Sequence, residues 1–264
     1  MIDLAVWLVA AATTASFHPP LGVPLSYVSR ADRTIGGKTA HFESRRRITF
    51  TREGDGFIAT IVFERASNDA GGDVAAMFDS AMASFADRRI ALHLDAAGAV
   101  TAVEDSEGLW TALCDAIAAL PGDAGQRARA ARFAGALRAL PPPQREKMLG
   151  SLVEPLIAGA DAGLVPSGPE PVTLPARPPA PAGTALPGTQ TVTRDSRGML
   201  DIHISASGDV AAADGTTAHV VTDRNRVIDP ATGLVLAARD HRTTTIGGDE
   251  MTADTNVTLT LPVS

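Results

Sequence analysis

Apolar and polar residues follow two periods along this chain, and each period marks a different kind of element. Leu25 and Tyr27 alternate with polar neighbours, Ala40 to Phe42 leads into Ile48 to Phe50, and Phe57 to Phe63 is an almost continuous apolar run. This patterning predicts three strands between Pro24 and Glu64, the third covered on both faces. Thr189 to Ser205, Thr216 to Ile228, Gly233 to Thr245 and Met251 to Leu261 are rich in Thr and Val with alternating polarity. They predict antiparallel strands with one solvated face.

Elsewhere the spacing lengthens to that of a helix. Val74, Met77, Phe78, Ala81, Met82 and Phe85 share one helix face behind a cap at Asp73, and this helix is the expected cover for the third strand. Its two methionines read as gap-fillers. Beyond Asp105-Ser106, three stripes follow: Leu109, Trp110, Leu113, Cys114 and Ile117; then Phe133, Leu137 and Leu140; then Met148, Leu149, Leu152, Val153, Leu156 and Ile157. Pro121-Gly122 and Pro141-Pro142-Pro143 separate them, and Pro155 should kink or end the last.

Six short turns rich in Asp and Gly punctuate the strands. They are Thr34-Ile35-Gly36-Gly37, Gly54-Asp55-Gly56, Asp95 to Gly98, Asp195 to Gly198, Asp229 to Gly233, and Thr245-Ile246-Gly247-Gly248. Glycine supplies the positive φ of tight hairpins and Asp bonds its own backbone, so each predicts a hairpin turn. The hairpin around Asp95 resembles Val227 to Ala237, and Asp223-Arg224-Asn225 reads as one more turn. The first and last turns repeat one tetrapeptide on either side of the helical region, so the first and last hairpins are expected in one sheet. The fold class is therefore α+β: a curved antiparallel sheet of hairpins, tending toward a half-barrel, with about three inserted helices packed on one side.

Between Val165 and Gly188 the composition shifts to Pro, Ala and Gly, which predicts an extended connector that is neither helix nor central strand. Near the start, Leu4 to Ala12 is an apolar run too short to span a bilayer, and Thr13-Thr14-Ala15 suits signal-peptidase cleavage, although Asp3 stands where a basic residue belongs. Residues 1–15 are thus expected to be a signal peptide and 16–264 a single α+β domain. Within it, 16–104 holds hairpins and one helix, 105–160 the helical insert, 165–188 the Pro-rich connector and 189–264 further hairpins. The expected location is periplasmic or secreted, with no transmembrane span in the mature chain.

A net charge of -7 repels phosphate backbones and argues against nucleic-acid binding. Aromatic residues make up only 4% of the chain, so Leu, Val, Ile, Ala and a few Phe must build the core. Cys114 stands alone, which precludes an intramolecular disulfide; on an apolar helix face beside Asp115 it reads as a small core residue.

Chemistry-bearing motifs are sparse. Gly37-Lys38-Thr39 ends like a phosphate loop, but Asp32 occupies the place of that motif's first glycine and the segment heads a strand. The sequence has no G-x-S-x-G elbow, no H-E-x-x-H, no cysteine pair for zinc and no spaced acidic calcium loop. His93 and His203 each project opposite to apolar neighbours and read as surface or cleft-edge residues; if their hairpins were adjacent, both would share a face with Asp201. Asp240-His241, with Arg239 and Arg242, reads as a charged outer strand face. Arg127, Arg129, Arg132 and Arg138 read as the solvated face of the second inserted helix. No catalytic, cofactor-binding or metal-binding residue is singled out, and no cofactor is expected.

The expected function is an exported, non-catalytic binding protein holding an apolar small molecule or lipid between sheet and helices. The alternative is a structural or protein-interaction module of the cell envelope, working through strand edges and the Pro-rich segment. Less favoured is a hydrolase without a recognisable motif, which would need His93 or His203 beside a nucleophile. The outline is similar to lipid- or lipoprotein-handling folds of the bacterial envelope, an analogy of fold class alone.

Overall fold

The computed structural model describes residues 17–176, 184–211 and 215–261. The expected signal peptide and residues 177–183 of the Pro-rich stretch lie outside the described residues. Eleven strands run in chain order: β1 (Leu25–Ile35), β2 (Lys38–Glu53), β3 (Gly56–Asn68), β4 (Arg89–Leu94), β5 (Val100–Val103), β6 (Ser167–Pro175), β7 (Ala185–Arg194), β8 (Leu200–Ala211), β9 (Thr217–Asp229), β10 (Leu234–Ile246) and β11 (Asp249–Thr260). Four helices interrupt them: α1 (Gly72–Phe85), α2 (Ser106–Ala118), α3 (Ala124–Arg138) and α4 (Pro142–Gly150).

All eleven strands form one antiparallel sheet, ordered β5-β4-β3-β2-β1-β11-β10-β9-β8-β7-β6. Each of the six turns joins two neighbouring strands of this order. In both Thr-Ile-Gly-Gly turns the two glycines have positive φ, 57° and 74° in the first and 59° and 95° in the last, the type I′ geometry that matches strand twist. The turns after β4 and β7 are built alike: the Asp95 carboxylate accepts from the amides of Ala97 and Ala99, and that of Asp195 from Arg197 and Met199. β1 pairs with β11 so that Thr34 faces Thr252 and Ile35 faces Met251. The two tetrapeptide turns therefore sit side by side at one end of the sheet, and this central seam unites the first and last hairpins.

Some elements depart from the patterning. Asp223-Arg224-Asn225 lies within β9, paired on both sides, and makes no turn. Its polar residues fit a strand because Asp223 and Asn225 share the outer face while Arg224 takes the inner one. β3 is covered on one face only: Phe57, Ala59 and Ile61 are buried, whereas Ile58, Thr60 and Val62 on the outer face are half-buried. The Pro-rich stretch contributes β6, an edge strand. Pro169, Pro171 and Pro175 are exposed and alternate with Val172 and the buried Leu174, so the missing N–H groups belong to the unpaired side.

The concave face carries the core. Over the first half of the sheet, Leu25, Ile48, Phe50, Ile61 and Leu92 pack against Trp110, Cys114, Ile117 and Leu149 from the helices. Phe85 of α1 stacks on Phe63 and Phe78 meets Phe42 edge-on. Residues 151–164 then cross the concave face. Val153 and Leu156 are fully buried, Ile157 bridges to Leu234, and the Ala158 amide donates to the Gly233 carbonyl. In the second half the sheet curls on itself. A crevice bounded by Leu174, Pro175 and Leu186 on one side and Thr222, Arg224, Asp240 and Arg242 on the other brings β6 opposite β10. β5 and β6 do not pair, so the curl stays open.

Candidate functional site

The inner face beneath the helices is filled by side chains, and the apolar space lies one layer further out, among the helices themselves. A cavity of about 290 Å³ opens between the start of α1, the end of α2 and the face of α3. Ala76, Met77, Leu120, Pro121, Ala130 and Phe133 supply its apolar walls, and Asp73, Gln126 and Arg129 its polar rim. Val153 and Leu156 of the crossing segment are fully buried on the inner side.

The rim is built from the capping of α3. Asp123 accepts from the Gln126 amide at 2.8 Å while the Gln126 side-chain oxygen accepts from the Asp123 amide at 2.8 Å, a capping box. That box orients the Gln126 side chain so that its NH₂ donates to Asp73 Oδ1 at 3.1 Å. One turn further along α3, Arg129 Nε donates to Asp73 Oδ2 at 2.7 Å. Arg129 first and Gln126 second hold the Asp73 carboxyl below its usual range, and Asp73, with a smaller contribution from Asp123, raises the Arg129 pKa. Asp73 therefore does not cap α1, whose N-cap is Gly71; it ties α1 to α3.

The second stripe is also shifted. Ala130 and Ala134 form the buried face of α3, while Phe133 is 47% exposed and stands over the cavity. Small residues let α3 approach α2 closely, leaving the aromatic ring without a core position. Nor are the four arginines of α3 uniformly solvated: Arg129 pairs with Asp73 and Arg138 with Asp115 at 2.6 Å. Cys114 is fully buried in the core, and burial is the main cause that pushes its thiol up.

A second polar feature lies on the concave face. Arg46 of β2 is 9% exposed, with its guanidinium 4.6 Å from the Tyr27 ring and 5.2 Å from the Phe63 ring. Its Nη1 donates to the Leu152 carbonyl at 2.8 Å. On the same face in the other half of the sheet, Arg226 of β9 bonds Asp161 and the Ile157 carbonyl. Two arginines four strands apart thus hold the ends of the crossing segment. Asp240 also points inward, 3.2 Å from Arg224 Nε, and Arg242 lies on the same face. Only Arg239 and His241 of that expected outer face are on the convex side, both bonded to Asp254.

The histidines of β2, β4, β8, β9 and β10 each meet a carboxylate on the convex face. His93 and His203 are not neighbours; β3, β2, β1, β11, β10 and β9 separate their strands. His203 bonds Asp223 at 2.7 Å, while Asp201 is engaged by Asn225. His93 Nδ1 lies 2.5 Å from Glu53 and Nε2 3.1 Å from Glu104, so only the doubly protonated ring donates to both. The Glu53 bond is the main cause raising the His93 pKa above its ordinary 6.5. Because the folded value is raised, the stability from this group is fully present below pH 6.5 and is lost as pH rises through the folded value. The advantage of the native protein over His93→Gln is therefore expected to be full below pH 6.5 and to shrink as the pH rises above it, read from urea midpoints. A constant difference would contradict the pairing.

Among the described residues, no group of three His, Cys, Asp or Glu side chains is arranged to hold a metal ion, and no helix is long and apolar enough to cross a membrane. Fold and site together define an open antiparallel sheet with a cavity-bearing helical layer. No protein-family model matches the chain, and no curated protein matches it. Among solved structures, DynF from the dynemicin biosynthesis pathway of Micromonospora chersina is similar over 94% of this chain and 86% of its own, with 6% identity and a TM-score of 0.23. A likeness that slight carries no argument about fold or function.

Proposed function

We propose that this chain is an exported, non-catalytic binding protein of the periplasm or cell exterior that holds an apolar small molecule or lipid in its helical layer. The observation that carries the reading is the cavity of about 290 Å³ between α1, α2 and α3, apolar in its walls and polar at one rim. Its lining includes no histidine, cysteine, serine or threonine, and its one carboxylate, Asp73, is engaged by Arg129 and Gln126. The histidines are engaged by carboxylates on the opposite face of the sheet, which weakens the hydrolase reading.

An interaction module working through strand edges is less well supported. β6 presents three prolines on its free side, and Pro143, Glu146, Lys147 and Glu154 from the helical insert lie against the four residues of β5. Native mass spectrometry of protein purified without denaturation tests the binding reading. An adduct of several hundred daltons that is lost on organic extraction is expected; a ligand-free spectrum, together with no uptake of added amphiphiles, would overturn it.

A further inference from the structure

On the reading that the helical-layer cavity holds a ligand, we propose that the ligand is a single-chain anionic amphiphile. Its carboxylate or phosphate head is gripped by Arg129, and its tail lies along Ala76, Met77, Leu120, Ala130 and Phe133.

Arg129 is only partly engaged by its neighbours. Its Nε is spent on Asp73 at 2.7 Å, while Nη1 and Nη2 form no hydrogen bond with any described residue. Asp73 is in turn held by Gln126, and Gln126 by the capping box at the start of α3. The guanidinium is thus fixed at the cavity rim with one edge engaged and the other presented. Two parallel N–H donors on a planar fork match the two oxygens of a carboxylate or phosphate, and a bound amphiphile places such a group beside an apolar tail channel.

Local charge favours the same sign of ligand. The chain carries -7 overall, yet α3 has Arg127, Arg129, Arg132 and Arg138 and no acidic residue. Only Arg129 and Arg138 meet a carboxylate; Arg127 donates to the Gly122 carbonyl and Arg132 to that of Ala128. Set against Asp73, Asp115 and the N-cap Asp123, which also acts on Arg129, the four arginines leave an excess of one positive charge on the cavity-bearing helix, which favours an anionic head over a cationic one. Phe133 fits the assignment too, since a large ring 47% exposed at the cavity finds its apolar partner in a ligand tail.

The test titrates the native protein with decanoate, decyl phosphate, decanol and decyltrimethylammonium below their aggregation limits, by calorimetry. One or both anions should bind about tenfold or more tightly than decanol, and the ammonium should bind least. Arg129→Gln should remove the anionic advantage, so that within this variant the anions bind no more tightly than decanol. Raising salt toward about 0.5 M should weaken the anions but not decanol, a readout that needs no variant. Equal affinity for anion and alcohol, preference for the ammonium, or an anionic advantage that survives Arg129→Gln would overturn the head-group assignment while the cavity reading stands. Failure of all four probes to bind would overturn both.

Discussion

Val28→Pro is expected to abolish folding, whereas Thr173→Pro is expected to leave the protein close to native stability. Both residues lie in strands, and neither side chain is part of the buried core. The difference is in the backbone. Val28 faces Arg45 of β2 on one side and Thr258 of β11 on the other. In a strand paired on both sides every N–H enters a ladder, so a proline deletes a bond and forces its ring into a neighbour. The cost is on the order of 3–5 kcal/mol, comparable with the whole stability of a modest domain. Thr173 shares the alternate positions of Pro169, Pro171 and Pro175 on the outer edge of β6, where no ladder bond is lost. Circular dichroism and urea melts of the two variants read the difference. Equal tolerance would mean that β1 and β11 do not form a continuous seam.

The second large effect concerns the cavity. Ala130 is buried on α3 and forms part of the apolar wall, so Ala130→Phe puts a ring into space that a ligand would use. Because Ala130 is also one of the small residues that let α3 pack closely on α2, the larger ring costs roughly 1–3 kcal/mol of packing. The melting temperature should therefore drop with the variant still folded, while amphiphile affinity falls by about tenfold or more. Calorimetry and melting on the same sample separate the two. Retained affinity in a well-folded variant would place the ligand elsewhere.

Most of the sheet was legible because its turns are chemically specific. Gly36-Gly37 and Gly247-Gly248 reach positive φ, Asp95 and Asp195 bond their own turns, and each became a hairpin. The pairing of the first and last hairpins followed from the repeated tetrapeptide, although only the register of Ile35 with Met251 shows how close the two turns lie. Asp223-Arg224-Asn225 misled because its composition is that of a turn, while pairing on both sides holds it in a strand. Asp240 misled in a related way: a charged residue on a strand suggests the outer face, but the curl of β6 over β10 creates a polar interior.

The site was much less legible. Its rim joins Asp73 to Arg129 across 56 residues of chain, and no local pattern encodes that contact. The signals that existed were indirect. Asp123 followed three residues later by Gln126 is a capping box, and the small residues Ala130 and Ala134 mark the face on which α3 packs closely. Phe133 shares the helical spacing of a stripe with Leu137 and Leu140, whereas a wheel centred on the buried Ala130 and Ala134 leaves it at the margin.

The central claim is that the ligand sits among the helices and not against the concave face of the sheet. Methyl-labelled NMR during a decanoate titration tests this most directly. The account predicts shifts at Ala76, Met77, Leu120 and Ala130, with Ala238, Val257 and Leu259 on the concave face unchanged. Shifts confined to Ala238, Val257 and Leu259, with the helical methyls still, would contradict it.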